Sequence, residues 1–168
     1  PGHARGRKGL TFEGGQRIPL IACWPGKIPS GKKTDVPTMN IDFFPTFLDL
    51  VGLPLPDDRV IDGRSIKDLL MKTSEESRDD LTDRPLFYFW NKNLQAVRSG
   101  RWKYHDRHRS DVSSYVYLKF GPFLFDLERD PNESYNQIDH DLKKAIKLEE
   151  KLDEMDASLR ENIRGWKD

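Results

Sequence analysis

Cysteine is nearly missing from this 168-residue chain. Cys23 stands alone, so no disulfide forms within the chain and no Cys-x-x-Cys zinc pattern exists. A lone thiol reports no redox compartment. Set in the apolar stretch Ile18 to Trp24, Cys23 reads as a small buried core residue. Net charge is missing too, because 28 Lys and Arg balance 28 Asp and Glu. No face need then be strongly basic, which leaves nucleic-acid binding without support. No apolar run approaches the roughly 18 residues of a membrane-spanning helix. Internal repeats and low-complexity tracts are missing. The chain opens on Pro1, without a methionine or a signal-peptide pattern. The expectation is a fragment or processed chain whose amino-terminal part is absent.

What is present suits one ordinary domain's worth of chain, with 36% apolar and 33% charged residues. One stretch organises the reading: Lys8-Gly9-Leu10-Thr11-Phe12-Glu13-Gly14-Gly15-Gln16-Arg17-Ile18-Pro19. It leads from a polar, glycine-rich entry into the run Ile18 to Trp24, which stops at Pro25-Gly26 and reads as a short buried strand. Loops at the ends of such strands are where open α/β sheets place ligand chemistry. Lys8 is a point charge with three donors, suited to an anionic oxygen or to plain solvation. Glu13 and Arg17 are spaced to form a structural pair across a turn that the glycines tighten. Residues Pro1 to Arg7 form a loop in which His3 is most simply solvated.

Further along, Asp42 to Val51 reads as a helix with Asn40 or Asp42 as its cap and Gly52 past its end. Phe43, Phe44, Phe47, Leu48, Leu50 and Val51 cover most of its circumference, which predicts burial on more than one side. Ser65 to Met71 is a short helix capped by Asp62 or Ser65. Thr73 to Asp83 is charged, with Leu81 its one large apolar side chain, and reads as a linker. It divides the chain into parts 1–80 and 81–168. Leu86 to Trp90, Leu94 to Arg98, Trp102 to His105, Tyr115 to Lys119 and Phe123 to Leu127 suit an antiparallel sheet of roughly four strands. The polar stretch His105 to Ser114, with Arg107, His108 and Arg109, is a loop. A long amphipathic helix spans about His140 to Ile163. Leu142, Ala145, Ile146, Glu149, Leu152, Met155, Leu159 and Ile163 make its sheet-facing stripe.

The stretch beginning at Lys8 resembles the lysine-containing signature of the sulfatase family, K-G-x-x-x-E-G-G-x-R-x-P. Trp24 to Ile28, Thr38 to Gly52, Pro54-Leu55-Pro56 and Ile61-Asp62-Gly63-Arg64-Ser65 resemble the stretches that follow it. Ala96 to Gly100 with Trp102-Lys103, and Phe123 to Leu127 with Asp130-Pro131 and Glu133, resemble the carboxy-terminal subdomain. The matches run in order from Gly2 to about Glu133.

The resemblance implies an α/β fold: the end of an alkaline-phosphatase-like mixed sheet, then a carboxy-terminal antiparallel sheet packed by a long helix. It implies hydrolysis of sulfate esters by a formylglycine nucleophile beside a calcium ion. Lys8 falls on the lysine that contacts the sulfate oxygens, with Glu13, Gly14, Gly15 and Arg17 holding it. Trp90, Asn91 and His108 are candidates to line the substrate pocket. The C/S-x-P-x-R nucleophile motif and the acidic metal ligands are absent from this sequence. The chain alone is therefore expected to be inactive, with an amino-terminal part of the same protein as its partner and a sulfated small molecule or carbohydrate as substrate. The family implies a periplasmic, secreted or lysosomal location. Two alternatives stay open: a phosphoester or phosphonate hydrolase of the same superfamily, and a non-catalytic relic of the fold.

Overall fold

The computed structural model describes residues 4–72, 79–106, 121–161 and 164. In chain order the elements are α1 (Glu13–Gln16), a 3-10 turn (Asn40–Asp42), α2 (Phe43–Val51), α3 (Lys67–Met71) and α4 (Asp79–Thr82), then β1 (Leu86–Trp90), β2 (Asn93–Ser99), β3 (Trp102–His105), β4 (Phe123–Asp126) and α5 (Leu142–Arg160). They fall into two compact units. One comprises residues 1–19 and 84–157, the other residues 20–83 and 158–168.

In the first unit the four strands pair antiparallel in the order β1-β2-β3-β4. Strand alternation gives the sheet two faces. Register aligns Phe87, Val97, Tyr104 and Leu124 in one row. That face packs on α5, where Leu94, Val97, Tyr104, Leu124, Ala145, Leu148 and Leu152 form one buried cluster. The opposite face carries Tyr88, Ala96, Arg98, Lys103, His105, Phe123 and Phe125. Leu10 and Phe12 pack there against Phe125 and Leu127. A bulge moves the β1–β2 register from Tyr88 opposite Ala96 to Phe89 opposite Leu94. The unpaired extra residue is Gln95, which the bulge re-aims.

The antiparallel sheet and its long covering helix agree with the sequence expectation. The expected strand Tyr115 to Lys119 lies outside the described residues. The helix presents Ala145, Leu148 and Leu152, a tighter stripe than the sequence suggested. Leu142 and Ile146 are exposed. Glu149, expected on the sheet-facing stripe, does meet the sheet: the Tyr104 hydroxyl donates to Glu149 Oε1 at 3.1 Å, which satisfies a buried phenol.

In the second unit Val36, Ile66, Leu69 and Leu81 form the core, with Phe43 and Leu70 against it. Leu81, from the stretch read as a linker, is thus buried. Gly52 ends α2 at φ 73° and donates its N–H to Asp49 and Leu48 carbonyls, as expected of a glycine C-cap. Asp42 is fully buried but does not cap α2 with its side chain. Its carboxylate accepts from Met39 N at 2.7 Å and Arg64 N at 3.0 Å, tying two segments together.

Two burial expectations are overturned. Phe44, Phe47 and Val51 of α2 are exposed, because the small core beneath takes only the Phe43, Pro45 and Thr46 side of the helix. Residues Ile18 to Trp24 form no strand, Ile18 and Ile21 are 77% and 91% exposed, and Cys23 is exposed. Strand propensity is a fit to neighbouring strands, and no described strand pairs with this run.

Candidate functional site

The lysine loop lies on the sheet face opposite α5. Leu10 N donates to Arg7 O at 3.0 Å and closes a turn with Lys8 and Gly9 at its tip. Gly9 has φ 89°, a conformation suited to glycine. Lys8 is exposed, and its ammonium has no ion pair among the described residues. The chain then enters α1, and Gly14 and Gly15 let the loop fold back on it. A Cβ at Gly14 would stand 2.5 to 2.7 Å from the carbonyl oxygens of Ala4, Arg5 and Gly6. At Gly15 it would overlap the Leu10 carbonyl. The pair of glycines is thus a packing requirement for the loop that carries Lys8.

Beneath α1 lies a buried charged cluster. Lys103, fully buried on β3, donates from Nζ to Glu13 Oε1 at 2.8 Å and lies 3.1 Å from Glu133 Oε1. Glu133 Oε2 accepts the Glu13 backbone N–H at 2.6 Å, and His105 Nε2 lies 3.2 Å from Oε1. Arg5 donates to the Glu133 carbonyl at 2.7 Å and covers the Phe12 ring at 4.4 Å. Phe12 stacks on His105 with centroids 4.6 Å apart. Lys103 Nζ also sits 4.4 Å from the centre of the Tyr88 ring. The predicted Glu13–Arg17 pair is present but loose, at 3.8 Å with Arg17 exposed. Glu13 is held chiefly by Lys103.

The electrostatics follow from this arrangement. Burial drives the His105 imidazole down to about 4, against the opposing hydrogen bond to Glu133, so His105 is neutral near pH 7. Glu133 only accepts when ionised, so Nε2 carries the imidazole proton and Nδ1 is a buried acceptor without a partner among the described residues. Burial raises the Glu133 carboxyl, but the His105 hydrogen bond and the Lys103 charge outweigh it and hold Glu133 below the usual range. Burial pulls Lys103 down, and Glu133, Tyr88 and Glu13 together more than restore it. Lys103 is thus an ammonium facing two carboxylates.

Of the residues singled out from the sequence, Lys8, Glu13, Gly14 and Gly15 come together in this loop. Thr11 Oγ1 donates to Gln95 Oε1 at 3.2 Å, which ties the loop to the sheet end where β1 turns into β2. Trp90 and Asn91 stand at that turn, Trp90 half-buried and Asn91 exposed at φ 52°. His3 and His108 lie outside the described residues. Lys103, His105 and Glu133 were missed as site residues. The signal for them was the alternation of Trp102-Lys103-Tyr104-His105: if both faces of that strand are covered, Lys103 is buried and requires acid partners.

This arrangement presents an exposed cation on a loop braced by buried charge. It does not fit a hard divalent cation, whose carboxylate ligands must be free. Glu13 and Glu133 are engaged by Lys103, His105 and a backbone N–H. Among the described residues no group of three or more His, Cys, Asp or Glu could hold a metal, and no helix is long and apolar enough to cross a membrane.

Comparison with known proteins gives one consistent result. Residues 3–160 match the family model described as N-sulphoglucosamine sulphohydrolase, C-terminal. The chain is 38% identical over 151 residues to steryl-sulfatase of Homo sapiens, covering 77% of this chain and 25% of that protein. It is 44% identical over 98 residues to N-acetylgalactosamine-6-sulfatase of Canis lupus familiaris, covering 58% of this chain and 18% of that protein. The chain therefore spans about a quarter or less of the length of these curated relatives. A solved structure from work on glycosaminoglycan metabolism by Bacteroides thetaiotaomicron superposes with TM-score 0.75 at 28% identity, over 92% of this chain and 32% of that one. The sulfatase PsFucS1 from Pseudoalteromonas sp. shares the fold with TM-score 0.75 at 23% identity, over 96% of this chain and 34% of that one.

Proposed function

This chain belongs to the sulfatase family through its C-terminal region, and we propose that it supplies Lys8 as the cation that binds the sulfate of a sulfate ester hydrolysed by the whole protein. The observation that carries this reading is the exposure of Lys8 at the tip of a loop braced from below by the Lys103–Glu13–Glu133 cluster. A leaving ester shifts negative charge onto the sulfuryl oxygens and the departing oxygen. A positioned ammonium stabilises that charge more in the transition state than in the ground state. Removing a comparable donor from an active site costs on the order of 10²- to 10³-fold in turnover.

The nucleophile and the calcium ion that the family implies belong to residues other than those described here. The 168-residue chain alone is accordingly inactive. Trp90 and Asn91, beside the loop's anchor at Gln95, contribute to the rim of the substrate pocket. The substrate is a sulfated small molecule or carbohydrate, and the whole protein works outside the cytoplasm.

The test is a turnover assay of the full-length protein on matched aryl sulfate and aryl phosphate esters. The expected result is release of sulfate at a kcat/KM at least about tenfold above release of phosphate. Preference for the phosphate ester, or sulfate release by the isolated chain, would contradict this reading.

A further inference from the structure

We propose that Lys103 and Glu133 are positioning residues for Lys8: a buried lysine–glutamate pair on the C-terminal sheet that fixes the lysine loop in its working geometry. The inference rests on the reading of Lys8 given above. It begins from the cost of burial. Lys103 and Glu133 are both fully buried, and a buried ion pair of this kind seldom adds stability over apolar residues of equal volume. Its use lies in what it specifies, and here it specifies one segment. Lys103 Nζ binds the Glu13 side chain, Glu133 Oε2 binds the Glu13 backbone N–H, and the Glu133 carbonyl binds Arg5. The loop 5–13 is thereby gripped at both ends, and Lys8 stands between them.

Glu133 is itself held in an unfavourable state. It has φ 54°, a left-handed conformation that is unfavourable for a non-glycine residue. Its backbone N–H donates to Asp130 O at 3.1 Å, and the Asp130 carboxylate accepts from Ser134 N and Tyr135 N. The turn after β4 is therefore closed on both sides of Glu133, which aims its carboxylate at α1. His105 completes the grip by holding Oε1 through Nε2 and stacking on Phe12. The contacts of Lys103, His105 and the Glu133 carboxylate thus converge on Glu13 and Phe12 of the lysine loop.

A double-mutant cycle in the full-length protein tests the assignment, using Lys8→Ala and Lys103→Met with an aryl sulfate as substrate. If Lys103 acts through Lys8, Lys103→Met lowers kcat by about 10²-fold when Lys8 is present, since small displacements of a catalytic group cost that much. In the Lys8→Ala background the same change costs about twofold or less. Equal losses in the two backgrounds would overturn the positioning role and leave the reading of Lys8 intact. A Lys8→Ala variant with full activity would overturn both.

Where Lys103→Met does not fold, or Lys8→Ala activity is below detection, Glu133→Gln and amide hydrogen exchange decide. The expected result is exchange at least about tenfold faster at amides 10–16, with the α5 amides unchanged. Unchanged protection of the loop, or equal loosening of loop and helix, would overturn the proposal.

Discussion

Glu133 is fully buried, sits in the left-handed backbone region and keeps its charge, and that charge enters the pH dependence of stability. His105 beside it is held neutral, with its imidazole lowered to about 4. In the unfolded chain that imidazole takes up a proton near its ordinary value of about 6.5, whereas in the folded chain it does so only near 4. The unfolded state therefore binds more protons between those values. The His105 contribution is intact above pH 6.5 and is lost as the pH falls to 4, at up to about 1.4 kcal/mol per unit. Glu133, lowered from its ordinary 4.5, adds a loss that starts only below that value. Urea unfolding should show a decline from pH 6.5 that steepens below 4.5, and His105→Gln should flatten the upper part alone. Identical profiles for both proteins would contradict the assignment. At this scale the sequence shows Lys8, Glu13 and the glycine pair, because they sit in one short motif. It hides Lys103 and Glu133, which meet Glu13 from 90 and 120 residues away along the chain.

Periodicity at the level of elements tells which face of a helix is apolar but not how far the helix turns on its partner. In α5 the sequence suggests one stripe from Leu142 to Ile163, whereas the sheet takes Ala145, Leu148 and Leu152 and leaves Leu142 and Ile146 exposed. Leu152→Ala should cost about 3 kcal/mol by chemical denaturation, as for buried leucines generally. Leu142→Ala, at 60% exposure, should change stability by less than about 0.5 kcal/mol. Equal costs would show that the helix lies in the rotation that the sequence alone suggested. The sheet was easier to read. Each strand alternates or is bounded by turn residues, and pairing runs between chain neighbours. The Gln95 bulge could not be read, because nothing local in Asn93–Ser99 marks an unpaired residue. The run Ile18 to Trp24 shows the opposite failure. Its strand propensity is plain, but the pairing that makes a strand comes from outside the segment.

For the molecule as a whole, the match over residues 3–160 makes the chain a C-terminal region of the sulfatase family, and the chain spans 25% of the length of steryl-sulfatase. That agrees with the ordered run of motifs from Gly2 to Glu133. Exposed Phe44, Phe47 and Val51 on α2 show why burial was the least legible property, since it depends on which side of a helix meets the core and not on its composition. What the chain does contain is a cation on a braced loop, which we propose acts on sulfate. The decisive measurement is kcat of the full-length protein and of Lys8→Ala on an aryl sulfate at saturating substrate, with thermal unfolding of both. The expected result is a fall on the order of 10²- to 10³-fold in kcat at an unchanged unfolding temperature, because Lys8 is exposed and supports no fold contact. Turnover by Lys8→Ala within about twofold of the unaltered protein would contradict it.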